Sequence, residues 1–438
     1  MRSTDEILRD TSAAHIQQLT EPSIVTTPMS VRGWELLNPD ISHLDNVVAR
    51  AAGFDINHFQ ISHGIMHTAN ALLTEPWRAQ RVRRIAQRAH KEGIEVFIWT
   101  HELDDIPGEL MVQGRVDLRS GDVWDFLIKR YEKVFGVVPE VDGLVLTIQE
   151  TQVPICDDSK VISNDPKPRR MAQLINAMHD ICARHGKKLI FRVFYYTSDE
   201  IDAICKALAD VPDDVVAMAK CQLVDWAPHL PHEPLVMALA DSGRAVIIEY
   251  DLGNEYHGQH EFPYVFPSYL QYRMNHFANL GVHGSVARIE RYSGTGLGTI
   301  NEVDFHVFSG LLQNPADSAT DIALAALTDR FGQWAIPVSV ILEAATDVIN
   351  RTVHPNLLGF GGFLMQSAMA DYHSVRDRVT NWRKIASWMD DKSIETLPER
   401  ILEGDNDLVE ETLAAARPSH GRRPVRVYDR VARYKDCI

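Results

Sequence analysis

The 438-residue chain has no long apolar run. A membrane-spanning helix needs about 18 consecutive apolar residues, and none are present. The opening MRSTDEILRD is too polar for a secretory h-region, so the expectation is a soluble, cytoplasmic protein. Paired cysteines are also lacking. The five that occur, Cys156, Cys182, Cys205, Cys221 and Cys437, are odd in number, scattered and free of CxxC spacing. They suggest no disulfide framework, thiolate metal site or redox pair, and read as reduced, small apolar side chains. Positive charge is in deficit, with 44 Lys and Arg against 60 Asp and Glu and a net charge of −16. That balance argues against nucleic acid and anionic membrane as main partners, because phosphate binding needs a cationic surplus.

Several familiar signatures are missing as well. There is no HExxH and no H-x-H on an early strand. The segment HGQHE at His257 to Glu261 offers three metal donors but at the wrong spacing, so neither metal nor cofactor is expected. GTGLGT at Gly294 to Thr299 lacks the last glycine of GxGxxG and has no βαβ context, and reads as a substrate loop. No short-period repeat and no low-complexity tract occurs.

What the chain does contain is alternation. Short apolar runs fall at Met29 to Glu35, Ile56 to Ser62, Ile94 to Thr100, Gly143 to Gln149, Lys188 to Tyr195, Val215 to Cys221, Ala245 to Tyr250 and Gly284 to Ile289. Each reads as a strand. Between them lie segments of helical spacing, such as DVWDFLIKRYEKVFG and PRRMAQLINAMHDICARHG, several closed by glycine. Eight strand–helix units mean a parallel sheet closed into a TIM (β/α)8 barrel over residues 1–315. From residue 316 to 438 the pattern turns to helix upon helix and ends in a basic tail. These helices could also join two copies into a homodimer.

In such barrels the loops after the strands carry the chemistry. Three carboxylates stand there: Glu150 after GLVLTIQ, Asp225 after VVAMAKCQLV, and Glu255 after AVIIEYDLGN. Acetal cleavage needs one carboxylic acid to protonate the leaving oxygen and one carboxylate to activate water or attack. Aromatic neighbours that can stack on sugar rings, Trp226 beside Asp225 and Tyr256 beside Glu255, fit that use. Trp99 and Tyr196 on strands or at their ends, and His101 and His257 among many loop histidines, are further candidates for contact with sugar. A strand-end glutamate is more often a solvated loop residue, and a loop histidine more often a local hydrogen-bonder.

Five of these segments, in order, resemble the α-glucuronidase family of glycoside hydrolases. IQETQVP is similar to the family's acid-bearing turn, RVFYY at Arg192 to Tyr196 to its RAFVY-like strand, and KCQLVDWAPHLPHEP to its KNGPIDFQPREP-like segment. EYDLGNEYHGQ and HVFSGLLQNP match two later segments, the likeness covering Gly143 to Pro315. The resemblance implies Glu150 as general acid, Asp225 and Glu255 acting on the attacking water, inversion at the anomeric carbon, and contacts from Arg192 and Lys220. It also implies burial beside Leu146 and Ile148 that raises the Glu150 pKa. Where the family has a uronate-holding lysine, this chain has Leu146. The stretch before Met29 is too short for the family's N-terminal sandwich domain. The expectation is an exo-acting, inverting glycoside hydrolase that removes a terminal sugar, with a uronic acid among the candidates, from an oligosaccharide. The alternative is a sugar-binding protein or a metal-dependent sugar isomerase or epimerase on the same barrel.

Overall fold

The computed structural model describes residues 25–195, 198–222, 232–255, 260–291 and 294–353. Eight strands close a parallel barrel: β1 (Val31–Leu36), β2 (His58–Ile61), β3 (Glu95–His101), β4 (Gly143–Thr147), β5 (Lys188–Arg192), β6 (Val216–Lys220), β7 (Val246–Asp251) and β8 (Gly284–Arg288), with β8 pairing back onto β1. All eight sequence-predicted strands are present, five of them trimmed at one or both ends and three (β1, β3 and β7) starting later and running one residue further than expected.

Helices cover the outside: α1 (Ile41–Ala51), α2 (Pro76–Ala89), α3 (Gly121–Val137), α4 (Lys167–Arg184), α5 (Ser198–Leu208), α6 (Pro234–Asp241), α7 (Pro267–Asn279) and α8 (Glu302–Gln313). Their starts follow side-chain chemistry. The Asp40 carboxylate accepts the His43 N–H at 2.8 Å at the head of α1, and the Glu233 carboxylate accepts the Leu235 N–H at the head of α6. After the barrel come α9 (Ala319–Phe331) and α10 (Ala335–Val353). Ser318 caps α9 and Gly332, at φ 56°, ends it, as the DSATDIALAALTDRFG pattern predicts. Residues 354–438, which hold the rest of the expected helical region and the basic tail, lie outside the described residues. No helix among the described residues is long and apolar enough to cross a membrane.

Two layers of core follow from the period of two along each strand. Outward side chains pack on the helices, and inward ones fill the barrel with Phe97, Trp99, Val145, Ile190, Met218, Ile247 and Val286. Glycine is required where strands approach closely: a Cβ on Gly284 would lie 2.1 Å from the Val31 carbonyl oxygen. Toward the C-terminal end of the barrel the inward row changes character. Ile190 is followed two residues on by Arg192, Met218 by Lys220, Ile247 by Glu249 and Val286 by Arg288. The apolar plug therefore ends in a charged layer that floors the mouth.

Beside the mouth, Met111–Val112, Arg115–Asp117 and Val161–Ile162 form a small three-stranded sheet from the loops after β3 and β4. Both loops follow barrel strands, on the side where such folds carry their chemistry.

Candidate active site

The charged floor is a chain of alternating sign. The Arg192 Nε donates to Glu249 Oε2 at 2.6 Å and its other nitrogens reach Glu249 Oε1 at 3.2 Å and Glu150 Oε2 at 2.6 Å. Arg288 lies 3.6 Å from Glu249 Oε1, 3.4 Å from Glu35 Oε2, and donates to Glu255 Oε2. Arg192, Glu249, Glu35 and Arg288 are all buried. Buried charges persist only when paired, and here each guanidinium is shared between carboxylates. Burial alone would push Glu35 up, but Arg288, with help from His63 and Ser62, outweighs it and holds the carboxyl well below the ordinary range.

Glu150 sits where this chain meets the mouth. Its side chain keeps 38% of its surface open, whereas Arg192 beneath it is closed off. Burial pushes its carboxyl up, yet Arg192 and then Lys220 outweigh that, and its pKa falls well below the usual range. The expectation that burial raises the Glu150 pKa is therefore corrected: the two cations decide the sign, and Glu150 is an ionised carboxylate. Leu146 is fully buried in the core.

Trp99 is fully buried too, donating its indole N–H to Gln60 Oε1 at 2.8 Å, with the Arg192 guanidinium 4.7 Å from its ring centroid. It backs the site and presents no open face for a sugar to stack on. Lys220 is buried, its ammonium 5.0 Å from the Phe194 ring. Glu255 is nearly closed off, bound to Arg288 and with its backbone N–H on Asp251 Oδ2 at 2.8 Å. Asp225, Trp226, Tyr256, His257 and Tyr196 lie outside the described residues.

Imidazoles line the other side of the mouth. His101 ends β3, its Nδ1 2.8 Å from the His67 carbonyl oxygen, and this fixes the proton on Nδ1. Burial, followed by the neighbouring His67, takes its pKa down to about 3, so the ring is neutral. His67 stacks on it, with centroids 3.9 Å apart, and keeps 51% of its side chain exposed. Burial and then His63 lower the His67 pKa as well.

Behind His67 lies Asp104, only 1% exposed, whose Oδ1 accepts the Gln152 N–H at 2.7 Å and so ties the loop after β3 to the turn that carries Glu150. The sequence reading passed over Glu35, Glu249, Arg288 and Asp104. For the first three the available signal was a charged residue at an inward position of an otherwise apolar strand. Among the described residues no group of three or more His, Cys, Asp or Glu is arranged to hold a metal ion.

No family model matches the chain, and neither does any curated protein. Solved structures do. The chain is similar to a GH138 enzyme targeting pectin rhamnogalacturonan II, with a TM-score of 0.53 and 11% identity over 90% of this chain and 57% of that one. It thus spans little more than half of that protein. It is also similar to a mutant of the Thermobaculum terrenum O-GlcNAc hydrolase, with a TM-score of 0.50 and 12% identity over 89% of this chain and 82% of that one. At such identities the likeness is one of fold.

Proposed function

We propose that this chain is a glycoside hydrolase that removes a terminal sugar from an oligosaccharide, exo-acting and inverting. The observation that carries this reading is Glu150: an ionised carboxylate after β4, half open to the barrel mouth and aimed by a buried arginine. Such a group can take the proton of an attacking water as the anomeric carbon accepts the oxygen. The five-segment resemblance to α-glucuronidases and the sugar-cleaving enzymes among the structural neighbours support the same chemistry. Glu150 serves here as base, and the acid lies elsewhere in the mouth.

Of the two substrates, a neutral sugar is favoured over a uronate. Arg192, which the resemblance offers to a substrate carboxylate, is already engaged by Glu150 and Glu249, and the second cation of the family pattern is Leu146. The test is a panel of aryl glycosides and oligosaccharides with neutral and uronate non-reducing ends, read by sugar release and by proton NMR of the first-formed anomer. Release from neutral ends with inverted configuration is expected. Retained configuration, or cleavage of uronates alone, would overturn the corresponding part of the reading.

A further inference from the structure

An ionised Glu150 leaves the proposed reaction without a proton donor, and this inference rests on that reading. A second feature of the mouth has the matching property. Asp104 Oδ2 is buried and has no hydrogen-bond partner, although the other oxygen of the same carboxyl is satisfied by the Gln152 N–H. Leaving a buried acceptor unmade is costly, so a single orphaned oxygen calls for a physical reason. His67 Nε2 lies 3.8 Å from it. A shift of about 1 Å brings that pair to hydrogen-bonding distance, and catalytic contacts often tighten only when substrate binds.

The surrounding backbone holds Asp104 in this place. Leu103 at φ 72° and Asp105 at φ 57° flank it in the left-handed region, which side chains other than glycine rarely occupy. Arg130 donates to the Asp104 carbonyl oxygen at 3.1 Å and also to the Glu102 carboxylate. His67 is held from its own side by the stacked His101 ring and by the His101 Nδ1 on its carbonyl oxygen.

We propose that His67 is the proton-donating catalytic residue of this mouth and that Asp104 is the positioning residue that stores and resupplies its proton. In the step, the Asp104 Oδ2–H bond breaks as His67 Nε2 gains a proton, and the His67 Nδ1–H bond breaks as that proton passes to the glycosidic oxygen. The C–O electron pair goes to the leaving oxygen. Water adds to the anomeric carbon and gives its proton to Glu150. His67 is neutral before and after, with its tautomer exchanged; Glu150 then releases its proton to solvent, Asp104 Oδ2 regains one, and His67 returns to the Nδ1–H tautomer by losing the Nε2 proton and taking one at Nδ1 from solvent.

The charges around the pair suit this role. Burial raises the Asp104 carboxyl to about 6; the backbone N–H groups of Gln152 and Val153 pull it down, and Asp105 and Glu102 push it up. His67 faces His63, Glu150 and Asp105. The store is therefore full below about pH 6 and empties above it, so cleavage of a poor leaving group should fall as pH rises through that value.

The test compares Asp104→Asn and His67→Gln on two glycosides of the same sugar, one with an alkyl or sugar leaving group and one with a dinitrophenyl group that departs unprotonated. Both variants should lose about 10²-fold or more on the first and only a few-fold on the second, and Asp104→Asn should lose the basic limb near pH 6. Equal losses on both substrates, or none, would overturn the proposal. A second measurement does not depend on activity: ¹⁵N NMR of the imidazoles in the intact protein should find that the neutral form of His67, followed below about pH 6 where Asp104 holds its proton, carries its own proton on Nδ1. A proton on Nε2 would exclude the transfer. If His67 shows the expected tautomer but the wild type cleaves no glycoside, the hydrolase reading fails and the proton pair stands.

Discussion

Arg192 bridges Glu150 and Glu249, donating to each at 2.6 Å, so one guanidinium serves both an open carboxylate and a sealed one. Its two partners have different consequences on mutation.

Arg192→Ala should destabilise the barrel by about 3–5 kcal/mol, because Glu249 is left charged in a closed site, and should lower activity on neutral and acidic substrates alike. Urea unfolding and paired kcat/KM values check this. Selective loss on uronates, with stability unchanged, would return Arg192 to substrate binding.

Glu150→Gln should leave the fold intact, since Arg192 keeps Glu249 and the Glu150 side chain is partly open. Turnover should drop by about 10²-fold or more, on good and poor leaving groups alike, because a base rather than an acid is removed. A loss confined to poor leaving groups would restore Glu150 as the acid.

Glu233 gives a pH signature unrelated to catalysis. It is buried, accepts the Tyr195 hydroxyl at 2.8 and 2.9 Å, and burial raises its carboxyl to about 8. A carboxyl whose pKa is raised on folding binds its proton more tightly in the native state. Its stabilising effect is full below its ordinary value of 4.5 and is lost as pH climbs toward 8. Unfolding free energy should therefore fall across that window, and Glu233→Gln should flatten the slope.

Gly284→Ala should cost roughly 1–3 kcal/mol or more, since its Cβ would meet the Val31 carbonyl across the β1–β8 seam. A melting temperature equal to wild type would show that the seam can open to take a methyl group.

The barrel was legible because each strand is a short apolar run set off by helices with glycine ends, a pattern that depends only on neighbours in sequence. Glu150 was legible for the same reason, standing where an apolar run stops. Its charge state was not, because Arg192 is 42 residues away and Glu249 a further 57 from Arg192, brought together only by closure of the sheet. Glu249 itself was hidden inside VIIEYD, where the apolar neighbours face the helices and the glutamate faces inward. Asp225 and its aromatic neighbour lie outside the described residues, so that part of the expected constellation stands on sequence alone.

The chain of charges from Glu150 through Arg192, Glu249 and Arg288 to Glu35 has a consequence for how such a mouth can diverge. The sealed members are balanced by one another, so a lone change at Arg192, Glu249 or Arg288 strands a buried neighbour and calls for a second change, whereas the partly open Glu150 can change alone. Among the described residues the loops meet this floor at Ser62, His63, Glu150 and Glu255, and loop positions away from those contacts can vary without stranding a buried charge. New sugar preferences should therefore arise first in the loops, while the floor passes unchanged between lineages that no longer share a substrate.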